Sequence, residues 1–151
     1  MPKLTIELVP STCWFSNVRS QVSKVDWDKI RRESYQKANY KCEVCGGVGP
    51  KHPVECHEIW HYNDKTRVQK LVGMVSLCPQ CHMVKHLGLA GILGKEMEAR
   101  AHLKEVNSWT DDQAKKYIGE AFAKWDERSI YEWILNLSWL DKRSIKYRKR
   151  K

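Results

Sequence analysis

The sequence predicts an α+β fold: a small hairpin core, helices on its flanks and a short sheet made by its terminal strands. Three observations predict it. Two Cys-x-x-Cys pairs, Cys42/Cys45 and Cys78/Cys81, stand far apart and bracket the stretch 46–77. That stretch is rich in β-branched and aromatic residues, which suit strands. After residue 94 the apolar residues recur at helical spacing in two long runs.

The elements follow in order. "KLTIELV" alternates Leu4, Ile6 and Leu8 with polar residues, the period of a strand. "VDWDKIRRESYQKANY" spaces Trp27, Ile30, Ser34 and Tyr35 like a helix face, with Asp26 as its cap. "CEVCGGVGP" holds three glycines and a proline, as a tight metal-binding knuckle needs. "PVECHEIWHY" reads as one strand and "TRVQKLVGMVSL" as its return, with "PQCHMVKHLGLA" a short helix after it. "KEMEARAHLKEVNSW" and "TDDQAKKYIGEAFAKWDERS" are amphipathic helices, the second opened by a Thr110/Gln113 capping box. "WILNLSWL" alternates Trp133, Leu135, Leu137 and Trp139, so it reads as a strand, paired with the N-terminal one. One domain is expected over 1–140, with its core at 27–90, a helical and strand extension at 91–140, and an unpacked basic tail at 141–151.

Composition narrows the function classes. A chain of 151 residues with seven tryptophans and six tyrosines has enough material for a folded core. The N-terminal segment lacks the pattern of a signal peptide, and no apolar run has bilayer length, so a soluble, cytoplasmic protein without a membrane partner is expected. The formal charge is +9, and residues 142–151 carry seven of the 27 Lys/Arg and no acid. That distribution suits a polyanionic partner; a solubilising tail fits it equally well.

In a reducing compartment, paired Cys-x-x-Cys spacing points to a closed tetrahedral zinc site at Cys42, Cys45, Cys78 and Cys81. Cys13 and Cys56 are left over. "LCPQCHMVKH" also carries His82 and His86, four apart and so on one helix face. Cys81 lies about 100° round from His82. If Cys81 faces the zinc, the two histidines face a second site, opposite the strand "ECHEIW". There His57 and Glu58 point to opposite faces, so only one of them meets the helical histidines. A neutral His57 beside a divalent ion suits the activation of a water. A zinc deaminase is excluded on spacing, since His57 and Glu58 are adjacent and Pro79 lies inside the Cys pair. A thioredoxin-like role for "CPQC" lacks the βαβ pattern it requires.

From "WDKIRRESYQKANYKCEVCGG" through "VECHEIW" to "LCPQCHMVKH", residues 27–86, the chain resembles the HNH endonucleases. The resemblance implies a ββα-metal, treble-clef-like core and metal-dependent hydrolysis of phosphodiester bonds in DNA. It implies that His57 is the general base; Glu58, beside it, is the other candidate catalytic residue. His82 and His86 correspond to ligands of a catalytic ion such as Mg2+, Mn2+, Ni2+ or Zn2+. DNA contacts are expected from Arg31, Arg32, Lys85, Lys142, Arg143, Lys146, Arg148, Lys149 and Arg150. The sequence departs from the family at Cys56, where many members have Asp or His before the base, and at Gly73, where the motif Asn stands. Glu58 or His61 is the candidate for the missing ligand. Cutting both strands from one site per chain would favour a homodimer. The alternative is a non-catalytic, zinc-stapled module that binds DNA or protein.

Overall fold

The computed structural model describes residues 2–13 and 17–147. Its elements are α1 (Val18–Gln21), α2 (Lys24–Lys37), β1 (Glu55–Asn63), β2 (Val68–Leu77), α3 (Pro79–Lys85), α4 (Leu87–Ile92), α5 (Glu96–Asn107), α6 (Asp111–Arg128), β3 (Ile134–Asn136) and α7 (Ser138–Asp141). The fold is α+β, with a three-stranded sheet in the order β1-β2-β3. No helix among the described residues is long and apolar enough to cross a membrane.

The hairpin β1–β2 is the centre of the molecule. It pairs antiparallel from Glu55↔Leu77 to Asn63↔Val68, with an irregularity between Ile59 and Trp60. Asn63 closes its tip by accepting from the amides of Lys65 and Thr66, both at 3.0 Å. That is a side-chain turn suited to asparagine, so the hairpin ends where β-branched residues give way to turn chemistry.

Each face of the hairpin rests on its own apolar cluster. One cluster joins Leu77 to Leu4, Val84, Leu87 and Leu103, with Cys42, Cys78 and Cys81 among its buried members. The other joins Leu71 to Val18, Ile30, Leu137, Leu140 and Ile145. Trp60 packs in this second cluster, on the face away from His57.

The terminal sheet differs from expectation. Residues 4–9 do alternate, with Leu4 and Ile6 buried, but they join no strand. Helical side chains occupy their backbone groups. Asn107 accepts from the Leu4 amide at 2.8 Å and donates to its carbonyl at 2.9 Å, and the Tyr117 hydroxyl accepts from the Ile6 amide at 3.2 Å. A segment satisfied this way has no ladder to offer a partner. The strand expected over residues 133–139 is only Ile134–Asn136, and it runs parallel to β2. Asn136 then accepts from the Ser138 amide at 2.9 Å and turns the chain into α7.

Three further readings are corrected. Ser23, not Asp26, caps α2; its hydroxyl accepts from the Asp26 amide at 3.1 Å. The helix expected from Pro79 onward is broken into α3 and α4 at His86, whose ψ of 49° is not helical. The tail is packed well beyond Asp141: Ile145 is buried in the second cluster, and Arg143 lies 3.6 Å over the Trp139 ring. The capping box on α6 is present as read, with Thr110 and Gln113 bonding each other's backbone.

Candidate metal centres

The two cysteine pairs are brought together by two different turns. Gly46, at φ 77°, lets the chain reverse after Cys45, and the Cys42 carbonyl receives its amide at 3.0 Å. Gly49 lies so close to Pro79 and to the His52 carbonyl that a Cβ there would come within 2.8 Å of both. Cys78 caps α3 through its thiol, which accepts from the Cys81 amide at 3.4 Å. One pair thus sits on a knuckle and the other on a helix start. All four sulfurs lie within 4.8 Å of one another, Cys45 and Cys78 at 3.6 Å. Bonds of about 2.3 Å to a tetrahedral zinc place sulfurs roughly 3.8 Å apart, so the donor set and spacing fit zinc.

The electrostatics fit a cation as well. A hydrogen bond from Cys81 pulls the Cys42 thiol down to about 4, against burial and with help from surrounding amides. Burial pushes Cys78 up to about 11, and Cys81 is pushed up by the bond it gives Cys42. Without a cation, one thiolate forms at the expense of the others; an ion at the centre lets all four ionise. His102 on α5 places Nε2 3.1 Å from the Cys81 sulfur.

The second group is His57, His82 and His86, whose ligand nitrogens also lie within 4.8 Å of one another. His57 comes from β1 and is buried; His82 comes from α3, and His86 from the break before α4. Their rings meet edge to face at centroid distances of 4.8 to 5.2 Å. The Nε2 atoms of His82 and His86 are 3.1 Å apart. Helix geometry therefore separates cysteines from histidines as the sequence suggests, and the Lys85–His86 break keeps His86 on the His82 side.

Two carboxylates missed by the sequence reading orient these rings. Glu55 lies 3.0 Å from His82 Nδ1, and Glu7 lies 2.7 Å from His57 Nε2. With Nδ1–H of His82 directed at Glu55, its Nε2 lone pair faces His86; a carboxylate on the far nitrogen commonly fixes a metal-binding imidazole in this way. By the same reasoning His57 keeps Nδ1 free. Burial and neighbouring His82 bring His86 down to about 4, and burial also lowers His82. Neutral imidazoles with converging lone pairs suit a divalent ion. Although burial opposes it, hydrogen bonding to His57 and the charge of Lys85 hold the Glu7 carboxyl below its usual range. Glu55 was findable, since it shares a strand face with His57 two residues on. Glu7 carried no signal, being fifty positions away in sequence.

Comparison with protein-family models, with curated proteins and with solved structures finds no match for the chain.

Several expected site residues lie elsewhere. Glu58 points to the opposite face, where its carboxylate accepts from the Val18 amide at 3.1 Å. Cys56 also leaves the histidine group; burial pushes its thiol up to about 11. His61 is exposed and outside the group, and Gly73 pairs with Ile59 in the ladder. Lys85 is buried, with Nζ on Thr5 and 3.5 Å from Glu7, so it is not a surface phosphate contact. Arg31 is held by Asp28 at 2.9 Å, and Arg143 lies 3.6 Å from Glu33. Arg32, Lys142 and Lys146 are on the surface or partly so, and Arg148, Lys149 and Arg150 lie outside the described residues.

Burial raises the Glu58 carboxyl to about 7, against the Val18 amide. The folded chain then holds a proton there that the unfolded chain releases near 4.5, so stability falls as pH rises from about 4.5 to 7. Glu58→Gln removes this loss while keeping an acceptor for Val18. Thermal melts should show the variant about 5 °C more stable at pH 8 and equal to the parent near pH 4.5.

Proposed function

We propose that the chain is a metal-dependent endonuclease that hydrolyses phosphodiester bonds in DNA on an HNH-type ββα-metal core, with a structural zinc at its four cysteines. The observation that carries this reading is the group of His57, His82 and His86, set by a hairpin and a helix beside that cysteine cluster. A divalent ion such as Mg2+, Mn2+, Ni2+ or Zn2+ on His82 and His86 supplies polarisation of a phosphate oxygen and stabilisation of the leaving oxygen. His57, with Nδ1 free, takes the proton of the attacking water. Glu7 holds the ring and favours the imidazolium that proton transfer creates, while Lys85 restrains Glu7. Glu55 keeps His82 in its metal-facing tautomer.

Plasmid nicking by zinc-loaded protein tests the reading. Conversion of supercoiled to open circular DNA is expected with at least one of the four ions and none without an added ion. Absence of nicking with every ion ends the nuclease reading. Glu7→Gln keeps a hydrogen-bonding group but not the charge; the nicking rate should fall about tenfold, in the range for outer partners of metal-site histidines, with an unchanged circular dichroism spectrum.

A binding module without catalysis is the second reading. It is favoured by Cys56, whose thiol stays neutral and away from the histidines, so the position before His57 brings no ligand. Salt-sensitive DNA binding without cutting is its signature.

A further inference from the structure

We propose that the cleft beside His82 seats one or two unpaired nucleotides of the strand whose phosphate reaches the three-histidine group. The cleft has a volume of about 770 Å³ and runs from α1 and α2 to the start of β1. This lies within the range of roughly 300–1,000 Å³ found for small-ligand sites. His82 lines its inner end, so cleft and metal group share a wall. The proposal rests on the nuclease reading for what happens to the strand, and its own content is how the strand is held.

Three aromatic rings line the cleft, Trp27, Tyr35 and Tyr40, all from α2 and the turn after it. Stacking on such rings accepts any base, because every base has a π-face. In an intact duplex those faces are covered by neighbouring bases, so only an unpaired nucleotide can use them. The charges in the cleft favour the same ligand. Its two carboxylates are engaged: Asp28 by Arg31 at 2.9 Å, and Glu55 by His52 at 2.9 Å and His82 at 3.0 Å. Arg19 and Lys24 remain as exposed cations at the mouth, placed for phosphates.

Backbone geometry at Tyr40 points the same way. Asn39 and Tyr40 stand at φ 54° and 57°, two successive left-handed residues that are not glycine. Residues in this region concentrate at ligand sites. The turn is held by the Tyr40 amide donating to the Tyr35 carbonyl at 2.9 Å, and it leaves the Tyr40 ring 49% exposed in the cleft. A glycine would make the turn with less strain, but it would bring no ring.

The test is fluorescence anisotropy with a labelled 12-nucleotide single strand and the matching blunt duplex, using zinc-loaded protein and no other divalent ion. The single strand is expected to bind at least tenfold more tightly than the duplex. Tyr40→Ala should weaken single-strand binding on the order of tenfold, the size of one lost base stack, and leave duplex binding unchanged. Tyr40→Phe should bind like the parent, and all three side chains meet the same backbone strain at this one position. Equal affinity for the two DNAs overturns the proposal, as does an unaltered Tyr40→Ala or a Tyr40→Phe as weak as Tyr40→Ala. If nicking depends on His57 but the single-strand preference is absent, the cleft proposal falls and the nuclease reading stands. If the preference depends on Tyr40 but no ion supports nicking, the nuclease reading falls and the cleft stands.

Discussion

His57→Ala is expected to lower the rate of plasmid nicking by roughly 10²- to 10⁴-fold, the contribution of a positioned general base. Nothing beside its free Nδ1 takes over: Glu7 lies at the other ring nitrogen, where Lys85 still holds it, and Glu58 points to the other face of β1. His82 and His86 are bonded to each other through their Nε2 atoms, 3.1 Å apart, and in the proposed complex would both turn lone pairs to the ion. Because His57 is 6% exposed, its loss also leaves a cavity. His57→Gln, which fills most of that space, should be equally inactive while melting close to the parent. Zinc content, measured on the same samples, should stay at one ion per chain after the loosely held ion is dialysed away. A variant that cuts at the parental rate removes His57 from the mechanism.

Removal of the zinc proposed at the four cysteines should unfold the protein outright. Cys81, on α3, is fully buried within the first apolar cluster, with its sulfur against the His102 side chain of α5. Apparent zinc-binding energies of about 10–16 kcal/mol equal or exceed the whole stability of an ordinary domain, about 5–15 kcal/mol. Cys81→Ser, or a strong chelator, should therefore abolish the cooperative melt seen by circular dichroism. A weak chelator gives the contrasting result: it should strip only the ion at the histidines, stop nicking and leave the melt unchanged. A Cys81→Ser protein that melts cooperatively at the parental temperature would show that the four cysteines need no metal.

The legible parts of this chain were those encoded locally. Paired Cys-x-x-Cys spacing placed four sulfurs together, and helix periodicity separated His82 and His86 from Cys81. The hairpin and the α6 capping box likewise depend on neighbours in sequence. What escaped depends on contacts between distant segments. Leu4, Ile6 and Leu8 do alternate, but alternation cannot say whether a strand or a helix supplies the opposing bonds, and here Asn107 and Tyr117 do. Glu7 meets His57, and His102 meets Cys81, only once the helices after Glu96 have docked. Lys85 reads as a surface cation by residue type, yet its partner Glu7 draws it inward. Glu58 illustrates the converse: strand alternation said that only one of His57 and Glu58 could face the helix, and the structure chooses His57.

The N-terminal segment that carries Glu7 also sets an order of assembly. Leu4 is bonded to Asn107 and Ile6 to Tyr117, so this segment has no seat until about a hundred more residues are made. At about 5–20 residues per second, that is a wait of several seconds or longer. During it, the hairpin and the zinc knuckle have all their own residues, whereas His57 still lacks its carboxylate. The nascent chain would thus hold a complete cysteine group while the proposed cutting centre still lacks Glu7, and a segment made before the hairpin becomes a late piece of the site.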